Sequence, residues 1–221
     1  MWLLRSPGVY RPQTDTWLLI QALNDAGIPS GARVLDMCTG TGALAIAAAV
    51  VGAGHVTALD ISLRATLTAR FNARVRGLPV RVERRDAMTF RAPRQFDVIL
   101  ANPPYVPSPQ GDLPRSGSRR AWDAARDGRA LLDPLCVNAS GMLSSGGMLL
   151  IVHSAVCGVE TTVDLLHKAG LKAAVVARRT VPFGPVMNGR ISFLEQQGLI
   201  KAGQRHEELV VIRGDRRDDQ P

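Results

Sequence analysis

At 221 residues the chain is long enough for one well-buried domain and too short for two comfortable ones. Hydrophobic residues make up 46%, an ordinary content for a packed core, and no run approaches the ~18 apolar residues of a membrane span. The net charge of +8 is almost entirely arginine, with lysine only at 168, 172 and 201, so membrane and acidic-tail classes are set aside and an anionic partner stays open.

The first helical pattern covers residues 14–26 (TDTWLLIQALNDA), with a cap expected near Thr14 and a stop at Gly27. Residues 33–37 (RVLDM) read as a buried strand, followed by Cys38-Thr39-Gly40-Thr41-Gly42 and an alanine-rich helix over 43–53. A strand, glycine-rich turn and helix is the context a nucleotide-binding turn requires, because Gly40 and Gly42 let backbone approach a ligand in front of a helix N-terminus. Residues 55–60 (HVTALD) form the next strand and end in Asp60, an acid placed to accept ribose hydroxyls. Each piece alone is also an ordinary structural turn; their order favours a nucleoside site.

A helix over 62–76 and a strand over 80–85 follow. The stretch from 64 to 94 carries arginines at 64, 70, 74, 76, 81, 84, 85, 91 and 94 against Glu83 and Asp86. Such a patch fits nucleic acid, the ribosome or an acidic protein, or simply a solvated helix and edge.

Residues 96–101 form a strand that runs into Asn102-Pro103-Pro104-Tyr105. Two consecutive prolines cannot donate to a ladder, so the strand stops there. The carbonyls of Asn102 and Pro103, the Asn102 amide and the Tyr105 ring can then hold a planar N–H₂ group, with acceptors for two hydrogens and a ring face for its plane. The plain alternative is a strand stop beside a core tyrosine. Beyond it, 103–126 is a proline- and glycine-rich loop of a length that usually serves a site.

Further elements are expected as helices over 128–144 and 157–169 and strands over 148–153, 171–177 and 207–213. Residues 180–205 have room for a short helix, and 214–221 read as a flexible tail. The alternation argues a doubly wound, mainly parallel α/β sheet. Cys38, Cys136 and Cys157 lie far apart with no Cys-x-x-Cys or His-x-x-His, so neither a disulfide framework nor a metal site is expected. The opening residues 1–7 lack the length of a secretory signal, and a cytoplasmic protein is expected.

Together these residues resemble the class I S-adenosylmethionine methyltransferases, and within them the HemK-related protein-(glutamine-N5) methyltransferases, on the eukaryotic and archaeal release-factor branch. Tyr10-Arg11-Pro12-Gln13-Thr14-Asp15-Thr16-Trp17 is similar to that branch's Y-x-P-x-E-D-T-F, and Ala121-Trp122-Asp123-Ala124-Ala125-Arg126-Asp127-Gly128-Arg129 to its A-W-x-G-G-x-x-G-R. Thr14 stands in place of Glu, Ala124-Ala125 in place of Gly-Gly, and Cys38 at the first glycine of D-x-G-x-G-x-G.

The resemblance implies a Rossmann-like, seven-stranded, mainly parallel sheet with the last strand antiparallel and helices on both faces. One methyltransferase domain over 1–213 is implied, with 1–30 covering the site. Its cofactor would be S-adenosylmethionine. Asp36 and the turn with Cys38, Gly40 and Gly42 would hold the methionine part, Asp60 and Ile61 the ribose, Asp86 and Ala87 the adenine, and Thr16 would close over it. Asn102, which would also touch the cofactor, would be catalytic with Pro103 and Tyr105, and Pro104, Trp122 and Arg129 would join them in binding substrate. The implied substrate is a protein glutamine, such as that of a translation release factor, on or off the ribosome. An N6-adenine or N2-guanine methyltransferase shares Asn-Pro-Pro-Tyr and is the alternative. A nicotinamide-dependent oxidoreductase would share only the glycine-rich turn. Relatives of that branch use a zinc-binding activator subunit at the edge near the third strand; here that edge is arginine-rich, and the need for an activator is left open. His153, at a strand end, reads as a core histidine rather than a proton acceptor.

Overall fold

The computed structural model describes residues 1–92 and 95–217. Apolar runs supply the sheet: β1 (Arg33–Met37), β2 (His55–Asp60), β3 (Val80–Arg84), β4 (Phe96–Ala101), β5 (Leu143–Ser154), β6 (Leu171–Pro182) and β7 (His206–Arg216). They lie in the order β3-β2-β1-β4-β5-β7-β6. β1 to β5 pair in parallel, and β7 is antiparallel to both β5 and β6.

Alternation along the strands assigns the two faces. Leu35, Met37, Ile99, Leu149 and Ile151 pack under α4 (Leu132–Met142) and α5 (Val159–Lys168). Val34, Val98, Leu100, Leu150 and Val152 pack under α1 (Thr14–Ala26), α2 (Ala43–Val50) and Ala69 of α3 (Leu63–Arg74). In α2 the alanines let the helix lie close to its neighbours: a Cβ on Gly42, at its N-cap, would sit 3.2 Å from that of Ala69. α6 (Pro185–Asn188) and α7 (Ile191–Gln196) fill the interval between β6 and β7 and close a third apolar cluster around Phe183, Met187 and Leu194. Register at the start of the central strands is pinned by Asp97, which accepts from the Arg33 N–H at 2.8 Å and the Ser144 hydroxyl at 2.8 Å.

Three local readings change. α1 has Gln13 at its N-cap with no side-chain cap hydrogen bond, so the expected cap near Thr14 is not made. β5 begins five residues early: Leu143 pairs with Phe96, and the ladder resumes at Met148 opposite Val98 after a bulge. The chain bends there because Gly146 is left-handed (φ 69°) and a Cβ on Gly147 would meet the Ser144 carbonyl at 2.9 Å. β7 runs to Arg216, into the stretch read as a tail, while residues 218–221 and Arg94 lie outside the described residues.

Among the described residues Cys38 and Ala125 are the non-glycine residues with positive φ, each at 63°. A Cβ crowds the backbone in that region, at a cost of roughly 1–2 kcal/mol, partly offset by the greater unfolded-state freedom of glycine. Ala125→Gly is therefore expected to raise unfolding stability by up to about 1 kcal/mol. Urea titration checks it; a destabilised variant would contradict the backbone argument.

Candidate active site

β1 and β4 are in-register neighbours, with Asp36 opposite Leu100 and Met37 opposite Ala101. The segments that follow, 38–42 and 102–105, therefore leave the sheet at the same level. β2 ends beside them, with Leu59 opposite Met37. Together they floor a cleft of about 820 Å³ that Tyr10, Thr16, Asp60, Asp86, Asn102 and Trp122 all reach.

The glycine-rich turn is built from beneath. Asp36 is fully buried, and its Oδ2 accepts from the Thr39 hydroxyl and, at 3.0 Å, from the Ala45 N–H. Its Oδ1 has no hydrogen-bond partner among the described residues, and burial pushes the carboxyl up to about 7. Asp36 thus braces the turn from behind and is not among the residues lining the cleft; Gly42 likewise lies behind the lining. Cys38 and Gly40 do line it. Burial first, and then the Asp60 carboxylate, push the Cys38 thiol well above its ordinary range, so it stays protonated.

Asp60 is half-buried at the tip of β2. Its Oδ2 accepts the Gly40 N–H at 3.0 Å and its Oδ1 the Ser62 N–H at 2.8 Å. Each oxygen keeps a lone pair for another donor. Burial raises its pKa, and the two backbone hydrogen bonds pull it back. Exposed Ile61, buried Ala87 and half-buried Asp86 continue the wall. Asp86 Oδ1 accepts the Met88 N–H at 2.9 Å. The neighbouring guanidiniums go elsewhere, Arg84 to the Ile61 carbonyl and Arg85 to Glu83, and leave Asp86 with no ion pair among the described residues.

At the other wall Pro103 is buried, and Asn102, Pro104, Tyr105 and Trp122 are half-buried and line the cleft. Asn102 donates from Nδ2 to the Thr16 hydroxyl at 3.2 Å, and the Tyr105 hydroxyl donates to Asp15 Oδ2 at 3.0 Å. The Tyr10 hydroxyl donates to the same oxygen at 2.8 Å. Asp15 and Tyr10 were visible in the sequence only as letters of a motif; their convergence on Tyr105 is a tertiary fact.

The long loop folds over this wall. Its neck is stitched by Val106 N–H to the Trp122 carbonyl (2.8 Å), Ala124 N–H to the Val106 carbonyl (3.0 Å) and Ser108 N–H to the Ala125 carbonyl (2.7 Å). Arg190, which precedes α7, clamps the neck through an ion pair with buried Asp123 and a bond to the Pro107 carbonyl at 2.7 Å. Arg129 does not reach the cleft. It is buried at the start of α5, donating to the Cys157 and Gly158 carbonyls and the Thr162 hydroxyl and pairing with Asp133 at 2.6 Å. It braces the wall from outside the cleft lining. His153 is fully buried, accepts no role in the cleft, and burial lowers its pKa to about 4. The arginine patch spreads over α3 and edge strand β3, with Arg64 and Arg84 at the cleft border.

The model of the methyltransferase small domain family matches residues 1–113. A protein bearing the name protein N5-glutamine methyltransferase from Methanocaldococcus jannaschii is 33% identical over 82% of this chain and 90% of its own length. The chain belongs to the protein (glutamine-N5) methyltransferase family. It is a class I S-adenosylmethionine-dependent methyltransferase. The release factor glutamine methyltransferase of Mycobacterium tuberculosis is 28% identical over 90% of this chain and 70% of its own length, and that of Bordetella pertussis 35% over 77% and 66%. In solved structures the fold matches the Mtq2–Trm112 complex of E. cuniculi, which is responsible for the methylation of the eRF1 translation termination factor, at TM-score 0.64 and 20% identity over 95% of this chain and 99% of that one.

Against the family pattern, both left-handed residues stand where glycine is usual: Cys38 in the turn and Ala125 in the loop. The last glycine of that loop motif, Gly128, is kept, and it is the one that packing forbids to change. A Cβ there would fall inside van der Waals contact of the Tyr105 carbonyl and lie 2.7 Å from the Cys157 sulfur, at φ 77°. Gly128→Ala is expected to cost about 3 kcal/mol or more through overpacking and left-handed strain, and to displace Tyr105. Thermal unfolding with a cofactor-binding assay checks this; a variant of native stability would overturn it.

The raised Asp36 pKa has a signed consequence. The folded state holds its proton above the unfolded pKa, so its contribution is fully present below about pH 4 and is lost as pH rises through about 7. Relative to Asp36→Asn, the parent chain should lose roughly 1.4 kcal/mol per pH unit across that window. Denaturant unfolding of both chains from pH 4 to 8 reads the difference; parallel curves would reject it.

Proposed function

We propose that this methyltransferase modifies the side-chain amide of glutamine in a protein, with a translation release factor as its substrate. The observation that carries the reading is the pocket at the end of β4. There the Asn102 amide, the Pro103 carbonyl and the Tyr105 ring stand beside the glycine-rich turn, and longer relatives, matched over 66% and 70% of their own length, carry the release-factor name.

The cleft fits the family's cofactor in its donor set and size. Asp60 keeps free lone pairs for two hydroxyls, Ile61, Ala87 and Met88 offer an apolar slot for a purine, and Asp86 accepts at its rim. Gly40 presents backbone with no side chain to the methionine part, and Thr16 closes the far side. When bound, S-adenosylmethionine supplies an electrophilic methyl group on a sulfonium.

The residues then act by position and electrostatics. An amide nitrogen is a poor nucleophile because its lone pair is delocalised. The Asn102 side-chain oxygen and the Pro103 carbonyl accept its two hydrogens, aim the nitrogen into the cleft and stabilise the positive charge it gains. Tyr105 packs on the amide plane. Asn102 and Pro103 hold the nitrogen's two hydrogens while it would take the methyl group, with the S–C electron pair left on the cofactor, until one hydrogen would leave as a proton to water. A glutamine in a glycine-rich loop reaches such a pocket without unstacking, whereas a duplex base pays a few kcal/mol to flip. The arginines on α3 and β3 meet the acidic surface of the factor or ribosomal RNA, an attraction that salt weakens.

Asn102→Ala should lose on the order of 10²–10³ in turnover. Cofactor affinity should stay within about threefold, since the residue acts on the developing charge. The assay uses purified release factor, with peptide mapping for a gain of one methylene on glutamine. Near-normal turnover in the variant, or a label found on adenine or guanine of nucleic acid instead, would overturn the reading.

A further inference from the structure

The acceptor pocket contains an amide whose direction matters. For Asn102 to accept a substrate hydrogen, its oxygen must face the pocket and its N–H₂ must face away. Nothing in Asn102 itself enforces this, because oxygen and nitrogen of the amide have nearly the same shape.

We infer that Asp15 is the positioning residue that sets this direction, acting through Thr16, and that it fixes Tyr105 at the same time. The inference rests on the pocket reading given above. Asp15 is 2% exposed and Thr16 4%. As a carboxylate Asp15 has no proton to give, so every neighbour must donate to it. Its Oδ1 accepts from the Thr16 N–H at 2.6 Å and the Thr16 hydroxyl at 3.1 Å. A hydroxyl has one proton, so once it points at Asp15 the Thr16 oxygen can only accept. It faces the Asn102 Nδ2 at 3.2 Å. The N–H₂ end of Asn102 is held toward Thr16, and its oxygen is left for the acceptor. The other carboxylate oxygen takes the hydroxyls of Tyr105 and Tyr10 at 3.0 and 2.8 Å. One buried carboxylate thereby orders an amide on one side and an aromatic ring on the other.

The order of the links makes a test that separates orientation from bulk structure. Thr16→Val keeps the shape of the side chain and removes the relay. Thr16→Ser keeps the relay and removes a methyl group. Asp15→Asn keeps the shape and gives the carboxylate position a donor of its own. In methylation of a purified release factor, Thr16→Val and Asp15→Asn should each lower kcat by about tenfold or more. Thr16→Ser should recover most of the kcat that Thr16→Val loses, and the kcat loss of Thr16→Val and Asp15→Asn should exceed any loss of cofactor affinity read by calorimetry. In the Asn102→Ala background, Thr16→Val should add little, because the group it orients is gone. A structural defect would add to the Asn102→Ala loss instead.

Full activity in Thr16→Val, or additive losses in the double variant, overturns the inference while a crippled Asn102→Ala still upholds the pocket. A cofactor affinity that falls in step with kcat assigns Thr16 to the cofactor and overturns it as well. If Asn102→Ala itself keeps its turnover, the pocket reading fails and the orientation argument falls with it. Should Asp15→Asn not fold, the Thr16 pair and the double variant carry the decision alone.

Discussion

The site depends on the reversal of strand order at β1. From there the chain winds outward through β2 to β3 on one side, and from β4 to β5 on the other. Helices α2 and α3 are thrown onto one face and α4 and α5 onto the other. The loops leaving β1 and β4 therefore diverge, and a crevice opens at the carboxyl ends of the strands. In-register pairing of Asp36 with Leu100 fixes the depth at which both loops start. The glycine-rich turn and Asn102-Pro103-Pro104-Tyr105, far apart in sequence, become opposite walls of one cleft for this reason.

Each wall is then secured by a different device. The turn is held by Asp36 from below and Asp60 from the side, both accepting backbone N–H groups that would otherwise be stranded. The opposite wall has prolines where ladder donors would be, so its carbonyls are left for a ligand. Its aromatic ring is then held at both ends, the hydroxyl by Asp15 and the backbone by the close approach of Gly128. Even a Cβ does not fit at 128 beneath the Tyr105 carbonyl, whereas 125 carries alanine at the cost of left-handed strain.

The layout was legible where local pattern and tertiary role coincide. Strands over 33–37, 55–60 and 96–101 emerge with the limits their apolar runs suggest, because both faces of each are buried and nothing interrupts them. The start of β5 was not legible: residues 143 and 144 read as the end of a helix over 128–144, and only pairing with Phe96 makes Leu143 part of a strand. Among the residues expected at a site, Cys38, Asp60, Asp86 and Asn102 line the cleft because strand ends point into the crevice. A motif position says nothing about which way a carboxylate faces: Asp36 lies on the α1–α2 face beneath the turn, outside the cleft lining. Arg129 likewise belongs to a loop motif, but its side chain crosses to α5. Asp15 and Tyr105 are 90 residues apart, and no local spacing announces their bond.

The loop over the acceptor wall shows how a long connection can shape a pocket without secondary structure of its own. Its neck is buried, with Ser108 at 0% and Asp123 at 2% exposure, while much of its tip faces solvent. A buried ion pair is a poor source of net stability but a strict one of geometry, since either partner left alone costs about 3–5 kcal/mol. Arg190 meets that condition by satisfying Asp123 and the Pro107 carbonyl together, and so ties the neck to the α6–α7 layer rather than to the sheet. Trp122, next to Asp123, is thereby held at the cleft, and because Leu113, Pro114 and Ser116 of the tip line the same cleft, the neck also sets where the tip stands over it.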